Sequence, residues 1–261
     1  MKITGITLPY RNYNEDAIVI KDDLFVIIDG ATGLHEKTTD KSQASEMVLV
    51  MKKALETSKI DDFEAFLYQL AIDLQVTYNY TGDKSMRPSA SLAALHIKDN
   101  MAYLYQLGDC AISYETNQLH RFSDQRLVKL DHIGKKLLVH YMKETDFNHA
   151  ITLVKPTLIK HRNLLNEPIG YMAFQPSLVP EFIVKKQSIR LKHLTSFLIY
   201  SDGYYSARDT FNLFNNHQTF YCSNIEQTIS NIKLRAYEDN QLISYPRFKI
   251  IDDISVIKVV L

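Results

Sequence analysis

The chain has 261 residues, 46% hydrophobic and 23% charged, enough to bury a sizeable core in one large domain. Its 30 basic and 30 acidic residues cancel, which argues against recognition of a nucleic-acid backbone or an anionic membrane by long-range charge. Two distant cysteines, Cys110 and Cys222, describe neither a disulfide framework nor a zinc motif, so function has to come from a local site.

The first residues carry no apolar signal region, and no apolar run approaches the roughly 18 residues of a membrane span, so the chain reads as soluble and cytoplasmic with reduced thiols. Residues 14–21 carry the run Ala17-Ile18-Val19-Ile20, and an Asp22-Asp23 turn leads to a second run, Leu24 to Ile28, that ends in Asp29-Gly30. The two runs read as an antiparallel hairpin. Glu15 and Asp16 then begin one strand at the edge where Asp29 ends its neighbour. Gly30 is expected to leave room for a ligand beside the backbone, and Gly33 to permit a second unusual backbone angle.

From Thr38 onward, Ala44, Met47, Val48, Met51 and Leu55 recur at helical spacing, with Asp40 or a neighbouring threonine as the cap. A second helix follows, with Asp61 and Glu64 as a capping box and Phe63, Phe66, Leu67, Leu70 and Leu74 as its apolar stripe. Ser89 to Ile97 and Met101 to Leu107 form a strand pair around Asp99-Asn100, and the second strand delivers Gly108-Asp109. Cys110 reads as a small buried residue, since no paired histidine is evident. Residues 123–194 hold four of the seven prolines and are expected to contain strands separated by a mobile excursion on the substrate side. Ser196 to Tyr200 is a strand ending in Ser201-Asp202-Gly203, Ile225, Ile229 and Ile232 mark a helix, and Asp252-Asp253 open a terminal strand.

The acids at strand ends are Glu15, Asp16, Asp29, Asp109, Asp202 and Asp252. Such an oxygen-rich set suits hard divalent cations, magnesium or manganese, and without a cation its members would repel one another. Two ions about 3.5–4 Å apart can share one water and direct the hydroxide in line at phosphorus. Arg11, four residues before Glu15, is placed to bind a phosphate bidentately.

In order along the chain, Arg11-Asn-Tyr-Asn-Glu15-Asp16, Asp29-Gly30, Pro88-Ser-Ala-Ser91 leading to Leu107-Gly108-Asp109, Ser201-Asp202-Gly203 and Asp252-Asp253-Ile254-Ser255 resemble the protein phosphatase 2C family, the metal-dependent serine/threonine phosphatases, in a divergent bacterial-type form. The resemblance implies an α+β fold, a four-layer α-β-β-α sandwich with two central, mainly antiparallel sheets, spanning residues 1–261 as one domain. It further implies that Asp29 bridges two ions, that Asp202 and Asp252 hold one of them, and that Glu15, Asp16 and the Gly30 carbonyl serve the other. Asp109 matches the acid that supports a third, weaker metal, and Arg11 would take the phosphate.

Two positions depart from the family. Ala31 stands where many members have a histidine that protonates the leaving group, so hydrolysis is expected to depend strongly on leaving-group pKa, a flat dependence pointing instead to another donor such as His35 or a metal-bound water; Asp253 stands where asparagine is common. The function implied is a phosphomonoester hydrolase acting on phosphoserine or phosphothreonine in proteins. The alternatives are a small-molecule phosphatase, or a catalytically silent copy of the fold serving as a regulatory binding module.

Overall fold

Ten strands and seven helices make up the computed structural model, which describes residues 1–34 and 41–261. The first hairpin forms as its pattern predicts: β2 (Asp16–Lys21) pairs antiparallel with β3 (Leu24–Ala31), and Asp22 takes the positive φ of the tight turn. Its register sets Asp16 directly opposite Asp29. β3 then pairs with β4 (Ser89–Lys98), β4 with β5 (Met101–Leu107), and β5 with β8 (Lys185–Arg190), giving one antiparallel sheet in the order β2-β3-β4-β5-β8. Asp99 and Asn100 both adopt positive φ in the two-residue turn between β4 and β5, as the twist of a hairpin favours.

The other sheet has the order β1-β10-β9-β6-β7, from β1 (Lys2–Leu8), β10 (Ile254–Val260), β9 (Ser196–Tyr200), β6 (Ala111–Glu115) and β7 (Leu119–Phe122), again antiparallel throughout. Period-two alternation gives each sheet two apolar faces. Phe25 and Ile27 of β3, Ala93 and Leu95 of β4, Ile112 of β6, Phe197 and Ile199 of β9, and Ile257 and Val259 of β10 pack between the sheets. The intervening residues face outward. Val26, Ile28, Leu92 and Ala94 receive α1 (Gln43–Thr57) and α2 (Phe63–Tyr78), while Leu198, Tyr200 and Val256 receive α5 (Asp202–Asp209) and α7 (Ile225–Glu238). The result is the expected four-layer sandwich, held by three apolar interfaces in which each fully buried large side chain contributes about 1.5–3 kcal/mol.

Several local expectations change. The cap expected at Asp40 or a neighbouring threonine, and the start of the helical spacing at Thr38, fall on residues 35–40, outside the described residues; the observed cap of α1 is Ser42, which accepts from the Ser45 amide in a reciprocal box. The cap of α2 is Asp62 rather than Asp61, and it accepts from the amides of Glu64 and Ala65. Residues 123–194 are largely helical before β8 rather than strands, with α3 (Arg126–Tyr141) and α4 (Phe147–Asn163) packed through Leu138, Ala150 and Val154. Pro156 is accommodated inside α4 and does not end it. Gly30 and Gly33 lack positive φ, and their missing Cβ atoms make room for protein rather than ligand: a Cβ at Gly30 would meet the Glu15 carbonyl at 2.6 Å, and one at Gly33 the Met86 carbonyl at 2.3 Å.

Candidate metal centre

Strand alternation aims the acids. Asp29 continues the inward face of Phe25 and Ile27, and Asp16 that of Ile18, so both carboxylates lie at the open end of the inter-sheet core. Gly108, at φ +73°, turns the chain out of β5 so that Asp109 meets them; a Cβ there would strike the Ser91 hydroxyl at 1.9 Å. Asp202 is the first residue of α5, where the helix dipole favours a negative charge, and reaches the same point from β9. Asp252 arrives just before β10.

Their proximity is visible in how they disturb one another. Burial first, then the Asp253 charge, raises the Asp16 carboxyl well above its usual range; burial followed by Asp16 and Asp202 does the same to Asp29. Asp202, although it reaches solvent, is raised to about 7 by desolvation and Asp252, and Asp109 to about 6 by desolvation and Asp131. Asp16 is 6% exposed, and its Oδ2 has no hydrogen-bond partner among the described residues. An orphaned buried carboxylate oxygen amid like charges is the arrangement a hard cation resolves, and the all-oxygen donors of Asp16, Asp29, Asp202 and Asp252 fit one.

Not every expected residue joins the cluster in the same way. The Glu15 carboxylate accepts from the hydroxyls of Thr32 and Ser42. Arg11 is exposed, donates to the Tyr13 hydroxyl at 2.8 Å, and feels the charges of Glu15 and Asp253. Asp253 is a clamp: its two carboxylate oxygens accept from the amides of Tyr10 at 2.6 Å and Glu15 at 2.7 Å, tying β10 to the chain that enters β2. A carboxylate offers two acceptors here where an asparagine offers one.

A cavity of about 350 Å³ opens beside the acids, lined by Asp109, Asp202 and Asp252 and by residues that the sequence reading missed. Val128, Asp131, His132 and Lys135 of α3 share one helical face, at i, i+3, i+4 and i+7, and all line this cavity. That spacing was the available signal. Asp131 is raised to about 6 by desolvation and by Asp202. Lys249 donates to Asp252 at 2.6 Å, so one acid already has an internal cation. Arg247, buried, fixes the loop that carries both: it donates to Asp239 at 2.7 Å and to the carbonyls of Tyr245, Ile250, Ala236 and Asp239. The alternative proton donor His35 lies outside the described residues.

No family model matches the chain, and no curated protein matches it. Solved structures do. PppA, a key regulatory component of T6SS in Pseudomonas aeruginosa, is similar at 16% identity over 100% of this chain and 97% of its own, with a TM-score of 0.56. The Mycobacterium tuberculosis serine/threonine phosphatase PstP/Ppp gives 14% identity over 100% and 98%, at 0.55. The catalytic domain of PstP in complex with two manganese ions gives 14% identity over 98% and 96%, at 0.51. At these identities the likeness is one of fold: over its whole length the chain is built as the bacterial PP2C-type serine/threonine phosphatases are.

Proposed function

We propose that this chain is a metal-dependent phosphomonoester hydrolase that removes phosphate from phosphoserine or phosphothreonine in proteins. The observation that carries the reading is the convergence of Asp16, Asp29, Asp109, Asp202 and Asp252 from five separate chain segments, with a buried Asp16 oxygen left without a partner. In this reading, Asp29, Asp202 and Asp252 would hold one divalent cation, manganese or magnesium, and Asp29 and Asp16 with the Gly30 carbonyl and Glu15 would serve a second. Asp109 would serve a third, weaker ion. Bound there, such cations supply charge neutralisation and activation of water at neutral pH.

The chain's own groups do the remaining work. Arg11, exposed at the rim, offers a planar pair of donors to two phosphoryl oxygens, which orients the phosphate toward the acids. Thr32 and Ser42 hold the Glu15 carboxylate in place, and Asp253 holds its backbone. Lys249 moderates the charge of Asp252. The cavity under α3 receives the rest of the substrate, with Lys135 and His132 facing it. Residues 1–261 act as one domain, with α3, α4 and the segment leading to β8 on the substrate side.

A silent regulatory copy has no physical need to keep five mutually repelling carboxylates in one place. The reading is tested by phosphate release from a panel of phosphoserine and phosphothreonine peptides, and from an aryl phosphate, in chelator, magnesium and manganese. Metal-dependent release from the peptides is the expected result. Release from the aryl phosphate alone would point to a small-molecule substrate, and metal binding without release from either would overturn the hydrolase reading.

A further inference from the structure

The hydrolytic reading leaves Cys110 without a role. It follows Asp109 directly, is 0% exposed, and packs between the sheets beside Phe25, Ile27, Ile112 and Ile199. A cysteine in such a place is ordinarily a small hydrophobe. Two observations set this one apart. Its Sγ, one carboxylate oxygen of Asp29 and one of Asp109 all lie within 4.8 Å of one another. The sulfur is also free and fully buried, with no hydrogen bond to it among the described residues, so those carboxylate oxygens are the polar atoms placed beside it.

Hard magnesium and manganese prefer oxygen, whereas a thiolate selects softer ions. Around a tetrahedral zinc, bonds of about 2.0–2.2 Å to oxygen and about 2.3 Å to sulfur put the ligand atoms roughly 3.5 Å apart. Reaching that spacing from separations of at most 4.8 Å needs a contraction of no more than about 1.3 Å per pair, within the swing of Asp29 and Asp109, which are only partly buried.

We propose that Asp29, Asp109 and Cys110 form a second, mixed oxygen and sulfur site that takes a thiophilic divalent cation, with zinc as its type and water completing the tetrahedron. Binding breaks the Cys110 S–H bond; the sulfur keeps the electron pair as a thiolate ligand, the proton passes to solvent, and nothing is oxidised or reduced. Asp29 belongs both to this site and to the proposed hard-metal centre, so zinc and manganese compete for it. Zinc is then an inhibitor that acts from the floor of the site. That inhibition rests on the hydrolytic reading; the site itself does not.

The test uses the full chain with Cys222→Ser, which removes the exposed thiol and leaves Cys110 alone. Cobalt added to the chelator-stripped protein is expected to give a near-ultraviolet sulfur-to-cobalt charge-transfer band whose intensity corresponds to one sulfur-bound ion per chain, with proton release. Zinc is expected to displace it, and Cys110→Ser to lose the band. X-ray absorption at the zinc edge, on protein retaining Cys110, is expected to show one zinc–sulfur distance of about 2.3 Å, and needs no Cys110 variant to fold. No cobalt uptake, uptake without the band, or a zinc shell of oxygen and nitrogen only would overturn the site. These readouts involve no turnover, so a protein that binds zinc through sulfur yet hydrolyses nothing refutes the hydrolase and keeps the site. Turnover without the band does the reverse.

Discussion

Stripping the protein of divalent ions and raising the pH should unfold it more easily, and the sign follows from the carboxyls. An acid whose folded pKa lies above its unfolded value binds more protons in the fold, so its contribution to stability is lost as pH rises toward the folded pKa. Below about pH 6.5 the histidines act in the opposite sense: His217, lowered to about 4 by burial and Arg121, and His96 and His161, also lowered by burial, make the fold more stable as pH rises toward the usual histidine value. The clean window is therefore about pH 7 to about pH 8.5. Burial and mutual repulsion hold the Asp16 and Asp29 carboxyls above their usual range, so both act in this direction, and one full proton of difference between fold and unfolded chain is worth about 1.4 kcal/mol per pH unit. Asp202, raised to about 7 but reaching solvent, adds a few tenths after screening. For a chain of this size, each 1 kcal/mol lost lowers Tm by roughly 2–4 °C. Thermal melts in chelator across the window measure it. Manganese at about 100 times its Kd should add about 2.7 kcal/mol and remove the decline. A chelated protein whose Tm is flat or rises from about pH 7 to about pH 8.5 would refute the reasoning, because its acids would then not be crowded.

Three further outcomes are expected. Because Ala31 cannot donate a proton, turnover should depend steeply on leaving-group pKa, with aryl phosphates cleaved much faster than alkyl ones; a flat series would indicate a donor such as His132, which lines the cavity. Arg247→Met leaves the buried Asp239 carboxylate with only its backbone donors and frees the loop carrying Lys249 and Asp252, so denaturant titration should show a loss of about 3 kcal/mol and manganese titration a weaker affinity. Unchanged metal affinity would separate that loop from the site. Asp253→Asn exchanges one of two acceptors for a donor facing an amide, and with manganese bound it should cost about 1–2 kcal/mol by the same titration; a neutral result would mean the clamp is dispensable.

Much of the fold was legible because its signals are local. The β2–β3 register follows from a short turn and two apolar runs, and it alone sets Asp16 opposite Asp29. The strands that deliver Asp109 and Asp202 carry the same mark, an apolar run stopped by an acid beside glycine, and Asp252 with Asp253 stands directly before the terminal apolar run. The helices α3 and α4 were hidden by prolines read as breaks, although only Pro156 lies within a helix, and Leu137, Leu138, Tyr141, Ala150, Ile151 and Val154 repeat at helical spacing on either side of one turn. Once α3 was missed, Asp131, His132 and Lys135 were missed with it, because only the helix brings them to the cavity. Gly30 and Gly33 were misread for a different reason. Their role depends on which atoms approach from elsewhere in the chain, Val48 and the Glu15 carbonyl in one case and Met86 in the other, and no local pattern encodes those contacts. The same holds for Asp253, whose partners are 243 and 238 residues away in sequence.

The most direct test of the metal centre is to count bound manganese by calorimetry while following hydrolysis of an aryl phosphate, for the unaltered chain and for Asp29→Asn and Asp202→Asn. Two tightly bound ions per chain, turnover that disappears in chelator, and loss of at least one ion together with turnover in either variant are the expected results. Full metal uptake and turnover in Asp29→Asn would contradict the assignment, since the acid at the centre of the cluster would then hold nothing.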